Sequence, residues 1–100
     1  MNPALSAYLE HRTQLLARVR RVLIEDLHVP RAPDEIDPDA PLFGTGLGLD
    51  SVDAVELIVC LETEFSFRLD DDALARASMR TVNSLVDLVL RKQGGAYVAA

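Results

Sequence analysis

The stretch that decides the fold is residues 44–67, which read GTGLGLDSVDAVELIVCLETEFSF. A loop with three glycines leads into Asp50 and Ser51, and an uninterrupted helical pattern begins there. Five apolar residues of this helix fall within about 100° of arc, the width of a stripe that faces a core. These residues are Ala54, Leu57, Ile58, Leu61 and Phe65. The pattern therefore predicts a helix with one buried face.

A second apolar stripe lies on the same helix, well over 100° away from the first. It consists of Val52, Val55 and Val59, and Glu56 and Glu62 lie along its edges. Because one helix rarely needs two cores, we interpret the second stripe as a surface that meets a partner. Ser51, at the entrance to the helix, is then an attachment point beside a docking surface.

Length and composition restrict the class of protein. One hundred residues form one domain with a modest core, which is too small for an enzyme with a deep pocket and a lid. Apolar residues make up 49% but aromatic ones only 5%, so the core should consist of Leu, Val, Ile and Ala, which favours helices. We find neither a signal-peptide pattern nor an apolar window of about eighteen residues. We therefore expect a cytoplasmic monomer without a membrane span.

The charges are unevenly distributed along the chain. Residues 34–72 contain twelve acidic side chains and one basic one, Arg68, for a net charge of −11, whereas the segments before and after carry +2 and +3. An acidic middle repels nucleic acids and anionic membranes. It favours a basic protein partner instead.

The first helix should begin at once, because Asn2 is a good N-cap and Pro3 suits the first helical position. Its apolar period of about 3.6 continues to roughly residue 28, and Pro30 ends the pattern. Other faces of this helix carry Arg18, Arg20 and Arg21. We expect them to form a solvated basic face; the alternative is that they contact the acidic middle or a partner.

The rest of the chain predicts a long ordered loop and two further helices. Prolines and glycines between Pro30 and Asp50 break the helical period, but five apolar residues there should pack across the helix ends. They are Ile36, Leu42, Phe43, Leu47 and Leu49. Three acids at residues 70–72 precede a short helix of about two turns, and Thr81 caps a last helix that Gly94 ends.

The predicted fold is therefore all-α: a four-helix bundle of three main helices and one short helix, with a long ordered loop between helices 1 and 2. We expect a single domain over residues 1–100. Its core spans about residues 3–93, and residues 94–100 form a tail.

Several familiar functional motifs are not present. The glycines of residues 44–48 neither follow a strand nor precede a lysine, which excludes the known nucleotide-binding fingerprints. Pro41 and Leu42 stand where a calcium loop starting at Asp37 needs a ligand and a glycine. Ser51 lacks the flanking glycines of a nucleophile elbow, and both histidines belong to the first helix, which disfavours a hydrolytic triad.

The one cysteine, Cys60, excludes a disulfide or a cysteine-rich metal site, and it should be small and partly buried rather than reactive. We expect no metal site.

The chemistry of Ser51 is more informative. Asp50 can cap the helix equally well, which leaves Ser51 at the first helical position with its hydroxyl free. A phosphodiester on that hydroxyl would lie at the positive end of the helix, which favours an anion by about 0.3–1 kcal/mol.

Residues 48–53 (GLDSVD), followed by Val55-Glu56-Leu57 and by Leu61-Glu62 and Glu64-Phe65, resemble the phosphopantetheine-attachment segment of acyl carrier proteins. The likeness covers roughly residues 5–92, with Pro41-Leu42-Phe43 in the loop and Thr81-Val82 at the last helix. This resemblance implies a four-helix carrier that is not itself an enzyme. Its serine receives 4′-phosphopantetheine from coenzyme A through a phosphopantetheinyl transferase, and the terminal thiol carries an acyl group as a thioester.

The resemblance also implies a role for each matching position. Ser51 is the attachment serine and Asp50 the acid that precedes it. The positions presented to partner enzymes are Val52, Asp53, Val55, Glu56, Val59 and Glu62. The interior positions, which line the cavity for an acyl chain, are Ala54, Leu57, Ile58, Leu61 and Phe65. The partners implied are the transferase, an acyl-loading ligase or acyltransferase, and ketosynthase-type enzymes.

Three departures from the family pattern leave the pathway open among fatty-acid, polyketide and related biosynthesis. Val52 replaces the more usual leucine, Thr63 stands where an acid is common, and the chain is longer at both ends. Peptidyl carriers more often have a glycine and a histidine near the serine, so Leu49-Asp50 favours acyl over aminoacyl cargo. An aminoacyl or peptidyl carrier, and an unmodified helical adaptor that docks a basic partner, remain the alternatives.

Overall fold

Four α-helices contain most of residues 2–93, the part of the chain that the structure, a computed structural model, describes. They are α1 (Pro3–Arg21), α2 (Ser51–Phe65), α3 (Asp72–Ser78) and α4 (Val82–Lys92). Strand-like pairing within the described part is limited to two isolated bridges. The all-α prediction and the order of the helices are confirmed. The predicted stop at Gly94 and the tail at residues 94–100 lie outside the described residues.

Helix α1 begins as predicted but ends differently. The Asn2 side chain accepts a hydrogen bond from the Ala4 N–H at 2.8 Å, which caps the first turn. The last turn, Val22–Asp26, is π-helical, with the Leu27 N–H bonded to the Val22 carbonyl at 3.2 Å. The helical segment therefore stops at Asp26, two residues before the predicted end. Val22, Leu23 and Leu27 are all buried, as the apolar period predicted.

The core lies between α1, α2 and α4, and every one of these helices contributes residues with almost no exposed surface. They are Leu15 and Val19 of α1, Leu23 of the π-helical turn that follows it, Leu57 and Leu61 of α2, and Leu85, Val86 and Val89 of α4. Leucine and valine fill this core, as the composition indicated. At about 25 cal/mol per Å² of apolar surface removed from water, this burial is the main term that stabilises the bundle. Helix α3 has only two turns and packs against α4.

The long loop is ordered because it is hydrogen-bonded to the start of α4. The Leu42 N–H donates to the Arg80 carbonyl at 2.9 Å, and the Asn83 N–H donates to the Pro38 carbonyl at 2.8 Å. Ile36 and Leu42 are fully buried and Leu49 nearly so, while Phe43 and Leu47 pack half-buried against the same cluster. The loop therefore closes one end of the bundle, as its apolar residues predicted.

The arginines of α1 do not form a solvated face, so that expectation is wrong and the alternative holds. The Arg18 Nε lies 3.0 Å from the Glu64 carboxylate, and Arg21 pairs with the same carboxylate. Arg20 donates two hydrogen bonds to the Ile36 carbonyl, at 3.1 and 2.8 Å. These partners lie far along the chain, so helical periodicity alone could not reveal them.

Candidate functional site

Ser51 is the first residue of α2, and Asp50 is its N-cap. The Asp50 carboxylate accepts a hydrogen bond from the Asp53 N–H at 2.9 Å, and the Asp53 carboxylate accepts one from the Asp50 N–H at 3.0 Å. This reciprocal capping box fixes the start of the helix without help from the serine. Ser51 is exposed, and its side chain makes no hydrogen bond to another residue within the described chain. Its hydroxyl is therefore open to chemistry from the solvent side.

Two opposing electrostatic effects act on an anion at the start of α2. The first N–H groups of an α-helix have no carbonyl partner within the helix and give its N-terminus a partial positive charge. An anion bonded to the Ser51 hydroxyl would lie against this end of α2. The carboxylates of Asp50 and Asp53 flank the same position, so their negative charge reduces the attraction. These carboxylates oppose a singly charged group less than a doubly charged one.

The glycines before Ser51 shape the loop. A Cβ atom on Gly46 would lie 2.0 Å from the Pro41 carbonyl oxygen. That oxygen accepts a hydrogen bond from the Leu47 N–H at 2.9 Å, so the backbone at Gly46 must approach the backbone at Pro41 closely. Gly48 has φ +76, a conformation that residues with a side chain rarely adopt. Both glycines thus have backbone roles in the loop that leads into α2.

The two apolar stripes of α2 have opposite exposures. Val52, Val55 and Val59 expose 72%, 65% and 55% of their surface, whereas Leu57 and Leu61 expose none. An exposed row of three valines on one helix is an unpartnered apolar face. We call Val52, Val55 and Val59 the valine face.

The acids near the valine face differ in their surroundings. Glu56 is exposed and has no ion pair within the described chain. Glu62 is half-buried, and its carboxylate accepts a hydrogen bond from the Leu69 N–H at 2.7 Å, with the Arg68 Nε at 3.9 Å. Asp53 is half-buried in the capping box. Of the three predicted docking acids, Glu56 alone is thus without a structural task of its own.

The predicted interior positions of α2 divide into two groups. Leu57, Leu61 and Phe65 are buried in the core. Ala54 and Ile58 are half-buried and lie where the core meets the surface of the helix. An apolar chain that entered beside α2 would therefore pass these two residues before it reached the leucines.

The structure adds one residue that the sequence analysis missed. A groove of about 330 Å³ between the π-helical turn and α2 is lined by Asp26, Glu56, Val59, Cys60, Thr63 and Glu64. Asp26 is the last residue of the π-helical turn that follows α1, and the fold brings it beside α2. Burial raises the pKa of the half-buried Cys60 thiol, and the negative charges of Asp26 and Glu56 raise it further. Both effects favour the neutral thiol over the thiolate.

Two further features are absent from the described residues. No group of three or more His, Cys, Asp or Glu side chains is arranged to hold a metal ion there. Nor does that part of the chain contain a helix of the length and apolar character needed to cross a membrane.

Comparison with known proteins identifies the family. The family model described as "Phosphopantetheine attachment site" matches residues 17–89. An acyl carrier protein from Thermosynechococcus vestitus is 30% identical over 82 residues, which cover 82% of this chain and 95% of that relative. The chain belongs to the acyl carrier protein family. As an acyl carrier protein it is a carrier of 4′-phosphopantetheine rather than an enzyme, and its partners are enzymes of acyl biosynthesis.

The start of α2 fits this prosthetic group. Its exposed hydroxyl, at Ser51, lies at a helix N-terminus where a phosphodiester is favoured, and the capping carboxylates already occupy the backbone N–H that the serine would otherwise bind. When bound, the group supplies a thiol that holds acyl chains as thioesters.

Proposed function

We propose that Ser51 is the residue of this acyl carrier protein that receives 4′-phosphopantetheine. The observation that carries the proposal is the free, exposed Ser51 hydroxyl at the first position of α2. The other serines are less suitable. Ser78 is buried, and the Ser84 hydroxyl lies 2.8 Å from the Thr81 carbonyl. Ser66 follows the C-terminal end of α2, where the helix dipole disfavours an anion. Ser6 is half-buried on α1, far from any capping box.

The transfer that loads this serine replaces a phosphoanhydride bond of coenzyme A with a phosphodiester bond to the protein. The Ser51 hydroxyl oxygen forms a bond to the phosphorus of coenzyme A that bears the pantetheine. The bond from this phosphorus to the bridging oxygen breaks, and adenosine 3′,5′-bisphosphate leaves with the electron pair. The serine proton passes to a base of the phosphopantetheinyl transferase. Because the capping box holds Asp50 and Asp53 in place, the attacking oxygen is presented at a fixed point of a rigid helix.

We further propose that the valine face, with Glu56 beside it, docks the partner enzymes. These are the transferase, an acyl-loading ligase or acyltransferase, and ketosynthase-type enzymes. Exposed apolar side chains next to unpaired acids suit a partner surface with an apolar patch and basic residues around it. Asp53 and Glu62 border the same face, where their remaining carboxylate lone pairs can accept bonds from a partner.

For the cargo we propose an acyl chain in fatty-acid, polyketide or related biosynthesis, in the cytoplasm, on a monomeric carrier. The half-buried pair Ala54 and Ile58 would admit the chain between α2 and the core, and Leu57, Leu61 and Phe65 would contact it. This arrangement favours an apolar acyl group, because a polar aminoacyl group would lose hydrogen bonds on entering such surroundings.

The experiment is loading with coenzyme A and a broad-specificity transferase, followed by intact-mass measurement of the protein. The wild-type chain should gain one phosphopantetheine and Ser51→Ala none. Ser66→Ala is the matched control, since it removes an exposed hydroxyl from the other end of α2, and it should load like the wild type. Modification of the Ser51→Ala protein would overturn the assignment.

A further inference from the structure

Two sets of cations in this chain differ in what they contact. Those of α1 act within the fold: Arg12 pairs with Asp87 at 2.6 Å, Arg18 and Arg21 pair with Glu64, and Arg20 binds a loop carbonyl. Those that follow residue 73 have no ion pair within residues 2–93, and they are Arg76, Arg80, Arg91 and Lys92. The fold thus does not account for these four charges.

Two of the unpaired arginines line a cleft between α3 and α4. The cleft has a volume of about 430 Å³, and its lining includes Leu74, Ser78, Arg80, Ser84, Leu88 and Arg91. Leu74 and Leu88 give it an apolar floor. Asp87 also lines it, and Arg12 binds one oxygen of its carboxylate; two arginines against one aspartate leave the lining with a net charge of +1.

The spacing of the two arginines indicates the size of what they would bind. Arg80 precedes α4 and Arg91 lies in its last turn, eleven residues later, so at 1.5 Å per residue the two positions are roughly 15 Å apart. A segment with two carboxylates can meet each guanidinium separately across this distance. An extended peptide covers that distance in about five residues.

We propose that the α3–α4 cleft docks an acidic segment of a protein partner, in which two carboxylates bind Arg80 and Arg91 and apolar side chains between them contact Leu74 and Leu88. The planar guanidinium forks match carboxylates bidentately. A membrane or a nucleic acid is disfavoured, because a large anionic surface would also meet the acidic residues 34–72 on a chain with a net charge of −6. A short acidic segment can enter the cleft without approaching α2. This surface is separate from the valine face.

The test is an NMR titration of the full-length, ¹⁵N-labelled protein at low salt with the acetylated peptide amide Glu-Glu-Leu-Val-Leu-Glu-Glu. The amides of Leu74, Ala77, Ser84 and Leu88 should shift.

Replacing Arg80 and Arg91 by glutamate should weaken binding roughly tenfold, since each exposed charge contact contributes a factor of about three. The double variant Arg31→Glu, Arg68→Glu makes the same change in net charge at two exposed sites away from the cleft. Its affinity should stay within about twofold of the wild type.

Each other outcome overturns the proposal. Equal losses in the two double variants would mean that net charge alone governs binding. Shifts on α2, or no shifts, would mean that the cleft does not bind acidic peptides. Inorganic phosphate that shifts the same amides as strongly as the peptide would identify a small-anion site. Arg80→Gln with Arg91→Gln, checked by thermal melting, replaces the glutamate pair if that pair fails to fold, and it should weaken binding in the same direction.

Discussion

Arg18 makes three contacts at the C-terminal end of α2. Its Nε lies 3.0 Å from the Glu64 carboxylate, its Nη2 donates to the Glu64 carbonyl at 2.8 Å, and its guanidinium carbon lies 4.4 Å from the Phe65 ring centroid. The carbonyl contact satisfies an acceptor that the end of the helix leaves open. This residue therefore joins α1 to the end of the helix that carries the attachment serine.

We expect Arg18→Ala to lower the free energy of unfolding by about 1–2 kcal/mol, because two charge-assisted hydrogen bonds and a cation–π contact disappear from a side chain that is partly screened by water. Arg31→Ala is the control. Arg31 is exposed and has no ion pair in the described chain, so its loss should stay within about 0.5 kcal/mol. Urea denaturation measures both. Equal changes would show that the contacts of Arg18 add nothing to stability.

The Cys60 thiol offers a prediction about pH. Its pKa in the folded protein is raised by burial and by the charges of Asp26 and Glu56, so at any pH near 8 the folded chain holds less thiolate than the unfolded chain. The pH midpoint of its alkylation by iodoacetamide should therefore lie higher in buffer than in urea. Glu56→Gln should move the folded midpoint downward. The same midpoint in buffer and in urea would contradict the effect; Ser51→Ala protein keeps Cys60 as the only thiol in the experiment.

At the scale of the element, α2 has one face for the core and one for partners. Leu61→Ala should cost roughly 2–5 kcal/mol, because it truncates a side chain with no exposed surface and leaves a cavity. Val59→Ala should cost under about 1 kcal/mol, since Val59 is 55% exposed and alanine favours a helix. Urea melts of the two variants compare the faces directly. Similar losses would place Val59 in the core and remove the basis for the valine face.

The helix starts and the core were predictable because they depend on local rules. Asn2, Asp50 and Thr81 each cap the helix that the sequence assigned to them. The π-helical turn was not predictable, because the apolar period runs through Val22–Asp26 and gives no local signal of a wider turn. The same holds for the candidate site: Ser51 and the valine face follow from the helical period, whereas Asp26 reaches the groove only through the way α1 ends beside α2.

At the scale of the whole molecule, the acidic middle should affect association and stability in opposite ways. The −11 of residues 34–72 attracts basic partners and repels itself. Raising the ionic strength to about 0.3 M shortens the Debye length to roughly 6 Å, so it should slow loading at Ser51 and raise the melting temperature.

Glu56 is the best single position at which to test this effect, because it is exposed beside the valine face. Glu56→Lys should slow loading at low salt through slower association, with an equal or higher melting temperature. Asp34→Lys makes the same charge change at an exposed position of the 3₁₀ turn Pro33–Glu35, and it should slow loading less. Loading rates that respond equally to both substitutions would mean that only the total charge matters. A rate insensitive to salt and to both substitutions would mean that the acids merely solvate the surface.

The hydrogen bonds of the long loop form a main-chain connection between the start of α4 and the start of α2. The Arg80 carbonyl holds the Leu42 N–H at 2.9 Å, and the Leu42 carbonyl in turn holds the Leu49 N–H at 3.0 Å, one residue before Asp50. The side chain of the same Arg80 lines the α3–α4 cleft. Two main-chain hydrogen bonds thus join a residue of the α3–α4 cleft to the residue that precedes the cap of α2, which places the proposed binding cleft and the proposed attachment site in one hydrogen-bonded framework.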